Sequence, residues 1–180
     1  EDLIAGKNII GIAATGTGKT GAFLIPIIHK LLNDKNMSAL VVVPTRELAQ
    51  QVEAEYRSLT KHMRLRSACF IGGTNINKDI ALARKHNELI VGTPGRLTDL
   101  IDRKALSIKH TSVLVLDEFD RMLDMGFVHA IKKLVGNMKS RKQTMLFSAT
   151  VDNSQEKLIN EMVKNPLRVN VTSGKKSSDN

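Results

Sequence analysis

Short, almost uniformly apolar runs are spaced along the whole chain and separated by longer amphipathic stretches. Uniform rather than alternating apolar character is typical of strands that are covered on both faces of a parallel sheet. On this pattern we predict the strands Asn8–Ile12, Ala39–Val43, Ala68–Ile71, Leu89–Val91, Val113–Leu116, Thr144–Phe147 and Leu167–Val171.

The stretches between these runs have apolar residues at helical spacing. A predicted helix through Ala22–Ile28 follows the first run, and another, from about Asn153 to Val163, precedes the last run. The other helical sets are Leu48, Val52, Tyr56 and Leu59; Leu97, Leu100 and Ile101; and Ile131, Leu134, Val135 and Met138. Strands that alternate with helices predict an α/β domain with a mainly parallel central sheet, right-handed crossovers and helices on both faces.

Length and composition are those of one globular domain. The chain has 180 residues, 42% of them hydrophobic and 25% charged, which is enough to bury a sizeable core. We assign residues 1–171 to the domain and the polar segment Thr172–Asn180 to a linker or tail. No run is long enough to span a bilayer and no signal peptide opens the chain, so we expect no membrane partner. The single cysteine, Cys69, lies in an apolar run, which favours a cytoplasmic, reducing environment.

The net charge suggests a polyanionic partner. It is +9 at neutral pH, with an isoelectric point near 9.8, and lysines and arginines that meet phosphates release counterions. Aromatic residues make up only 3% of the chain and there is no tryptophan, so a platform for base stacking is not expected. If nucleic acid binds, its sugar-phosphate backbone should be the main target.

The segment between the first strand and the first helix has the composition of a phosphate-binding loop. Gly16 and Gly18 allow backbone torsions in which successive N–H groups point at phosphate oxygens, and the helix that follows adds a partial positive charge. Lys19 supplies a full charge for the β- and γ-phosphates, and the Thr20 hydroxyl can ligate Mg²⁺. The predicted nucleotide-binding residues are Ala14, Thr15, Gly16, Thr17, Gly18, Lys19 and Thr20.

Two adjacent acids complete the predicted chemistry. Asp117 follows the strand Val113–Leu116, where it can hold Mg²⁺ together with Thr20, and Glu118 can orient or deprotonate a water that attacks the γ-phosphate. Adjacent acids at a strand end can also simply be solvated or cap a helix. With Lys19 at a neighbouring strand end, we expect Lys19, Asp117 and Glu118 to be the catalytic residues.

Other polar clusters follow the remaining strands, and in a parallel sheet all of them meet at one rim where ligands bind. Each places hydroxyls, free backbone N–H groups or a guanidinium near a helix start, an arrangement suited to successive phosphates of one strand. Taken singly, such a cluster is more often a helix cap. The candidate residues for contact with a nucleic-acid backbone are Pro44, Thr45, Arg46, Gly72, Gly73, Thr93, Pro94, Gly95 and Arg96.

Taken together, the motifs closely resemble the first RecA-like domain of DEAD-box RNA helicases. In order and spacing, the resemblance covers nearly the whole chain, and alanine at position 13, the first of the phosphate loop, is normal in that family. The motifs are Ala13–Thr20, Pro44–Ala49, Gly72–Gly73, Thr93–Arg96, Asp117–Asp120 and Ser148–Thr150. The resemblance implies a RecA-like P-loop NTPase domain that binds ATP or ADP with Mg²⁺ and contacts single-stranded or duplex RNA.

The resemblance also assigns roles that the residues alone do not. Ser148, Ala149 and Thr150 are similar to the motif that couples the ATP site to unwinding, and hydrogen bonds from this segment to Asp120 are expected. Arg46, Gly73 and Arg96 are among the positions that match the family's RNA-backbone contacts.

The chain departs from the family pattern in three ways. Phe119 stands where the family usually has alanine, so packing against Ser148–Thr150 is the point at which this chain can differ. The sequence also begins after the glutamine-containing motif that reads adenine, and it ends before the second RecA-like domain, which supplies arginine fingers. We therefore expect half of a longer helicase, nearly inactive by itself.

Other functions compete with this interpretation. An RNA clamp that holds nucleotide without turnover would not need Glu118, which is present, and a DNA helicase could share the same core. The run Thr93–Arg96 and the pattern Asp117-Glu118-x-Asp120 favour the RNA family, and discrimination at the ribose 2′-hydroxyl would test the choice. A nucleotide kinase fits least well, because nothing resembles a lid or an acceptor site.

Overall fold

The computed structural model describes residues 1–13 and 19–170. Its strands are β1 (Ile9–Ile12), β2 (Ala39–Val42), β3 (Ser67–Phe70), β4 (Leu89–Gly92), β5 (Val113–Leu116), β6 (Gln143–Ser148) and β7 (Leu167–Asn170). Its helices are α1 (Lys19–Asn33), α2 (Arg46–Leu59), α3 (Ile76–Ala83), α4 (Pro94–Asp102), α5 (Phe119–Asp124), α6 (Val128–Asn137) and α7 (Asn153–Met162).

The strands form one sheet in the order β3-β4-β2-β5-β6-β1-β7, and every neighbouring pair is parallel. The predicted α/β class and parallel sheet are confirmed. Each predicted strand is present with its bounds shifted by at most one residue inside the described ranges, whereas Val171 lies outside them. The helices α3 and α5 were not among the predicted ones.

Two apolar clusters fill the spaces above and below the sheet. On one face α1 and α2 pack on alternate strand residues such as Val41, Val115 and Phe147. On the other face α3 to α7 pack on the intervening residues, among them Leu40, Leu114 and Leu146. The uniform apolar character of the central strands therefore arises because both of their faces are buried. β7 is different, since it is an edge strand whose residues are all exposed.

Helix starts at the carboxyl end of the sheet are fixed by local polar contacts. The Thr45 hydroxyl accepts a hydrogen bond from the Leu48 N–H at 3.3 Å and caps α2. Asp152 and Gln155 form a reciprocal capping box at the start of α7, and Pro94 opens α4, where its missing N–H costs nothing. These caps orient the loops that carry the predicted site.

In the part of the chain that the structure describes, no helix combines the length and the apolar character needed to cross a membrane.

Candidate nucleotide and nucleic-acid site

Lys19 and Asp117 form a buried ion pair at the carboxyl end of the sheet. Lys19 is the first residue of α1, Asp117 follows β5, and Lys19 Nζ lies 3.0 Å from Asp117 Oδ1. The two side chains are only 7% and 4% exposed. Burial raises the pKa of Asp117, and the Lys19 ammonium opposes this shift. The Lys19 ammonium therefore offsets part of the cost of burying the Asp117 carboxylate.

Glu118 is held in a strained and buried position beside this pair. Its backbone adopts a left-handed conformation, with φ 53° and ψ 50°, which costs a non-glycine residue about 1 kcal/mol or more. Burial raises the pKa of its carboxyl group, although Lys19 lowers it. Its Oε2 atom accepts no hydrogen bond from the described residues, and the Arg121 guanidinium approaches only to 3.8 Å. A strained, dehydrated carboxylate of raised pKa is suited to accept a proton.

Thr20 follows Lys19 in the first turn of α1 and is partly buried. The remaining predicted nucleotide-binding residues, Ala14 to Gly18, lie outside the described residues. Thr20 and Asp117 offer hydroxyl and carboxylate oxygens, the donors that Mg²⁺ prefers, and this metal usually takes few protein ligands and completes its shell with phosphates and water. The donor chemistry therefore fits the predicted Mg²⁺.

Asp120 joins the acidic segment to the end of β6. Its N–H donates to Ser148 Oγ at 3.2 Å, and its Oδ2 accepts from Thr150 Oγ1 at 3.1 Å and from the Thr150 N–H at 3.3 Å. Ser148 Oγ in turn donates to the Thr150 carbonyl at 2.7 Å. The hydrogen bonds that the resemblance implied are present, while Ala149 is exposed between the two hydroxyl residues.

Phe119 does not disturb this network. Its side chain is fully buried in the apolar cluster that contains Leu116 and Leu146, on the face covered by α3 to α7. The ring therefore points into the core while the neighbouring Glu118 and Asp120 remain at the rim. The departure from the family's usual alanine is accommodated by packing.

The first predicted backbone-binding cluster brings α2 next to the turn after β3. The Arg46 guanidinium lies against Gly73, which has φ 81°, and a Cβ built on Gly73 would come within 2.8 Å of Arg46 Nη1. A Cβ built on Gly72 would meet no atom within 4 Å, and Pro44 and Thr45 directly precede α2. Arg46 and both glycines thus share one surface, as predicted, and Thr45 also serves as the helix cap.

The second cluster contains an arginine that is already engaged. Arg96 Nη1 lies 2.8 Å from Asp79 Oδ2, and both side chains are nearly buried. The same guanidinium donates to the Thr74 carbonyl and hydroxyl at 3.3 to 3.4 Å. Arg96 therefore ties α4 to α3, a role that the sequence did not indicate because nothing in the spacing of Asp79 and Arg96 marks them as partners. Thr93 is largely buried before Pro94, and Gly95 faces open space.

The parallel sheet, with a lysine and two acids at its carboxyl end, defines a RecA-like nucleotide-binding domain of the P-loop class. Residues 1–158 match the DEAD/DEAH box helicase family model. The chain therefore belongs to the DEAD/DEAH box helicase family.

Individual relatives agree with this assignment. The chain is 41% identical over 169 residues to the DEAD-box ATP-dependent RNA helicase CshA of Bacillus cereus, covering 93% of this chain and 32% of that protein. It is 38% identical to the DEAD-box ATP-dependent RNA helicase RhpA of Helicobacter pylori, covering 94% of this chain and 34% of that protein. The chain thus spans about a third of the length of these curated relatives.

A solved structure has the same fold. The crystal structure of a DEAD box protein from the hyperthermophile Methanococcus jannaschii superposes with a TM-score of 0.87 at 35% identity, covering 94% of this chain and 47% of that one.

Proposed function

We propose that this chain is the ATP- and RNA-binding half of an ATP-dependent RNA helicase that couples ATP hydrolysis to local unwinding of RNA duplexes. The observation that carries the proposal is the buried Lys19–Asp117 pair with Glu118 beside it, joined through Asp120 to Ser148 and Thr150. An intracellular location stays a prediction from the sequence.

In this proposal the phosphates of ATP take Lys19 as their cationic partner. Thr20 and Asp117 would hold Mg²⁺, which would neutralise charge on the β- and γ-phosphates. Glu118 orients the attacking water and accepts its proton at a carboxylate oxygen, and the raised pKa of this group makes it a better proton acceptor. Because the side chains of Lys19, Asp117 and Glu118 are buried, they would exclude other water from the reaction.

Asp120 is proposed as the link between hydrolysis and RNA. It is two residues from the base Glu118 and is hydrogen-bonded to both hydroxyl residues at the end of β6. A change in charge at the γ-phosphate that moves the 117–120 segment would therefore also move Ser148–Thr150. Hydrogen bonds of this kind transmit displacement without contact between ATP and RNA.

The RNA backbone is proposed to lie on the surface that Arg46, Gly72, Gly73 and the start of α4 share. Backbone N–H groups at the α2 and α4 starts and the Arg46 guanidinium would contact phosphate and ribose, without reading base sequence. Arg96 would act mainly by holding α3 and α4 together, since its donors are occupied by Asp79 and Thr74. A second RecA-like domain would supply the other half of this groove.

ATPase measurements on two proteins test the proposal. The 180-residue chain alone should turn over ATP about 10³- to 10⁵-fold more slowly than a longer protein that carries the second domain, because an arginine finger contributes rate of that order. In the longer protein, turnover should rise on addition of RNA, and Glu118→Gln should lower it by about 10²- to 10⁴-fold while ATP still binds.

Phe119→Ala should change the rate per folded molecule far less, because position 119 supplies no ligand or proton acceptor; the folded fraction is measured alongside, since loss of this buried ring leaves a cavity. Robust RNA-stimulated turnover or strand separation by the 180-residue chain alone would contradict the two-domain mechanism. A nucleotide-dependent clamp would instead bind RNA in the presence of ATP and show no turnover in the longer protein.

A further inference from the structure

The excess positive charge of this chain lies at the end of the sheet opposite to the proposed ATP and RNA sites. Three loops that lead from a helix into the amino end of a strand, residues 60–66 before β3, 103–112 before β5 and 138–142 before β6, contain lysines and arginines and no acidic residue. At the carboxyl end, the charged residues of the described loops between strands and helices are the acids Asp117, Glu118 and Asp152.

We name seven exposed cations of these three loops the basic band: Lys61, Arg64, Arg66, Lys104, Lys109, Lys139 and Lys142. Among the described residues, none of them lies within ion-pair distance of a carboxylate. By contrast, Arg103 in the same loops pairs with Asp99 at 3.0 Å, and Arg141 turns inward to donate to the Met162 carbonyl. The band therefore consists of cations that the fold itself does not use.

The basic band has two parts, and both lie at the amino ends of the strands. The loops before β5 and β6 touch each other, since the Ser140 N–H donates to the Lys109 carbonyl at 3.2 Å and the Lys142 N–H to the Ser112 carbonyl at 2.7 Å. The loop before β3 lies four strands from β6 in the sheet order, which at about 4.8 Å per strand is about 19 Å.

The acids between the two parts, Glu88 and Asp34, accept hydrogen bonds from backbone amides and form no ion pair with the side chains of the band among the described residues. Glu88 accepts a hydrogen bond from the Arg66 N–H at 2.7 Å, and Asp34 accepts one from the Asn36 N–H at 3.0 Å. Exposed cations spread over about 19 Å match an extended polyanion better than a compact one, because a nucleic-acid strand carries a phosphate about every 3.4 Å along its axis.

Compensation of helix dipoles does not account for the band residues that lie farthest from a helix end. Cations stabilise a helix only within its last turn, and the last turns of α4 and α6 contain no basic residue. Arg64, Lys109 and Lys142 all lie more than one turn beyond the helices that precede them, which end at Leu59, Asp102 and Asn137.

We infer that the basic band is a second RNA-binding surface, which holds the sugar-phosphate backbone of a strand away from the catalytic rim and without sequence preference. It would keep the RNA attached to the domain while the contacts at the carboxyl end form and break. This inference goes beyond the proposed function and takes from it only the identity of the polyanion as RNA.

The test compares two triple variants of the chain with equal loss of charge. The band variant is Arg64→Gln, Lys109→Gln and Lys142→Gln. The control variant is Lys78→Gln, Lys132→Gln and Lys157→Gln, which removes three exposed lysines from the helices α3, α6 and α7. Binding of a fluorescent oligo-uridine strand is followed by anisotropy over a series of salt concentrations, without nucleotide, so the result does not depend on the ATP site.

The band variant should bind the strand about tenfold or more weakly at low salt, and the slope of log affinity against log salt should fall by about 2, since each lost contact to single-stranded RNA contributes about 0.7. The control variant should keep the slope of the parent chain. Equal losses in both variants, or no binding by the parent, would overturn the inference.

Two further measurements separate RNA binding from fold stability and from binding of acidic peptides. The band variant should unfold at the same urea concentration as the parent. If its unfolding midpoint is lower, and the loss of folded protein accounts for the weaker binding, the cations contribute to fold stability instead. A poly-glutamate peptide of matched charge should compete poorly with the strand. If the peptide binds the band and the RNA does not, the partner is an acidic protein segment and the inference is wrong.

Discussion

The two ends of the sheet use charge in opposite ways. At the carboxyl end, Lys19, Asp117 and Glu118 are buried, and Arg96 is locked to Asp79. At the amino end, the basic band is exposed and has no carboxylate partner among the described residues. Buried charges cost free energy of folding and are retained where chemistry needs them, whereas exposed charges cost little and act through the surrounding solvent. Net charge alone therefore does not locate the proposed ATP site.

Arginines at the two ends should differ most in their effect on stability. Arg96→Ala leaves Asp79 nearly buried without its cationic partner and should lower the free energy of unfolding by about 2 kcal/mol. Arg64→Ala removes an exposed side chain without an ion pair and should change it by less than about 0.5 kcal/mol. Urea denaturation of both variants measures the contrast.

A double variant separates the pair from the remaining contacts of Arg96. If Arg96 acts through Asp79, the change Arg96→Ala with Asp79→Ala should cost less than the sum of the two single changes, because the second removes the unpaired carboxylate. If Arg96→Ala and Arg64→Ala lower the free energy of unfolding equally, the charges at the two ends of the sheet do not differ in their effect on stability.

Nucleotide binding at the carboxyl end should depend on phosphate far more than on the base. We expect ADP and GDP to bind the chain within about tenfold of each other, or about 1.4 kcal/mol, because the phosphate that Lys19 is proposed to contact is common to both nucleotides. Lys19→Ala should weaken both to a similar degree. Titration calorimetry with each nucleotide is the measurement, and a strong preference for adenine in this chain would refute the expectation.

Glu118 should reduce the stability of the fold, because its carboxyl group is buried. Its pKa is raised in the folded state, so the folded chain binds this proton more tightly than the unfolded chain does. The resulting cost is present at pH values above the folded pKa and disappears as the pH falls below the unfolded value. Glu118→Gln, which cannot ionise, should therefore stabilise the fold by about 1 kcal/mol near neutral pH.

Thermal unfolding at a series of pH values follows this difference. The difference in melting temperature between the Glu118→Gln variant and the parent should become smaller as the pH falls toward the ordinary pKa of glutamate. A gap that stays constant with pH would indicate a packing effect instead of a titrating carboxyl group. The same substitution at the exposed Glu161 is a suitable control and should leave stability almost unchanged.

The sequence predicted the strands and the rim well because both depend on local patterns. An apolar run such as Val113–Leu116 followed by Asp117 fixes the strand and places the acid at its carboxyl end. The helix α3 was not predicted, since Asp79 and Asn77 interrupt a short apolar pattern whose helical form depends on packing against the sheet. Propensity alone is a weak guide in such cases.

What could not be predicted depends on contacts between distant parts of the chain. The left-handed backbone of Glu118 and the pairing of Arg96 with Asp79 follow from how neighbouring strands bring their loops together. The basic band could not be predicted from the sequence either. Its members come from separate loops, and only the strand order brings these loops to the same end of the sheet. The roles assigned to the site residues themselves stay predictions.

The close contact between β3 and β4 also limits how this chain can evolve. A Cβ at Gly92 would lie 2.6 Å from the Phe70 carbonyl oxygen and 2.8 Å from Leu97 Cγ, so even alanine would force the strands apart. Gly136, which has open space, lies in a helix, where alanine is favoured. In a population of variants, position 92 should remain glycine while position 136 drifts, and a smaller residue at 97 should not rescue an exchange at 92, because the contact with the Phe70 carbonyl oxygen is to the backbone.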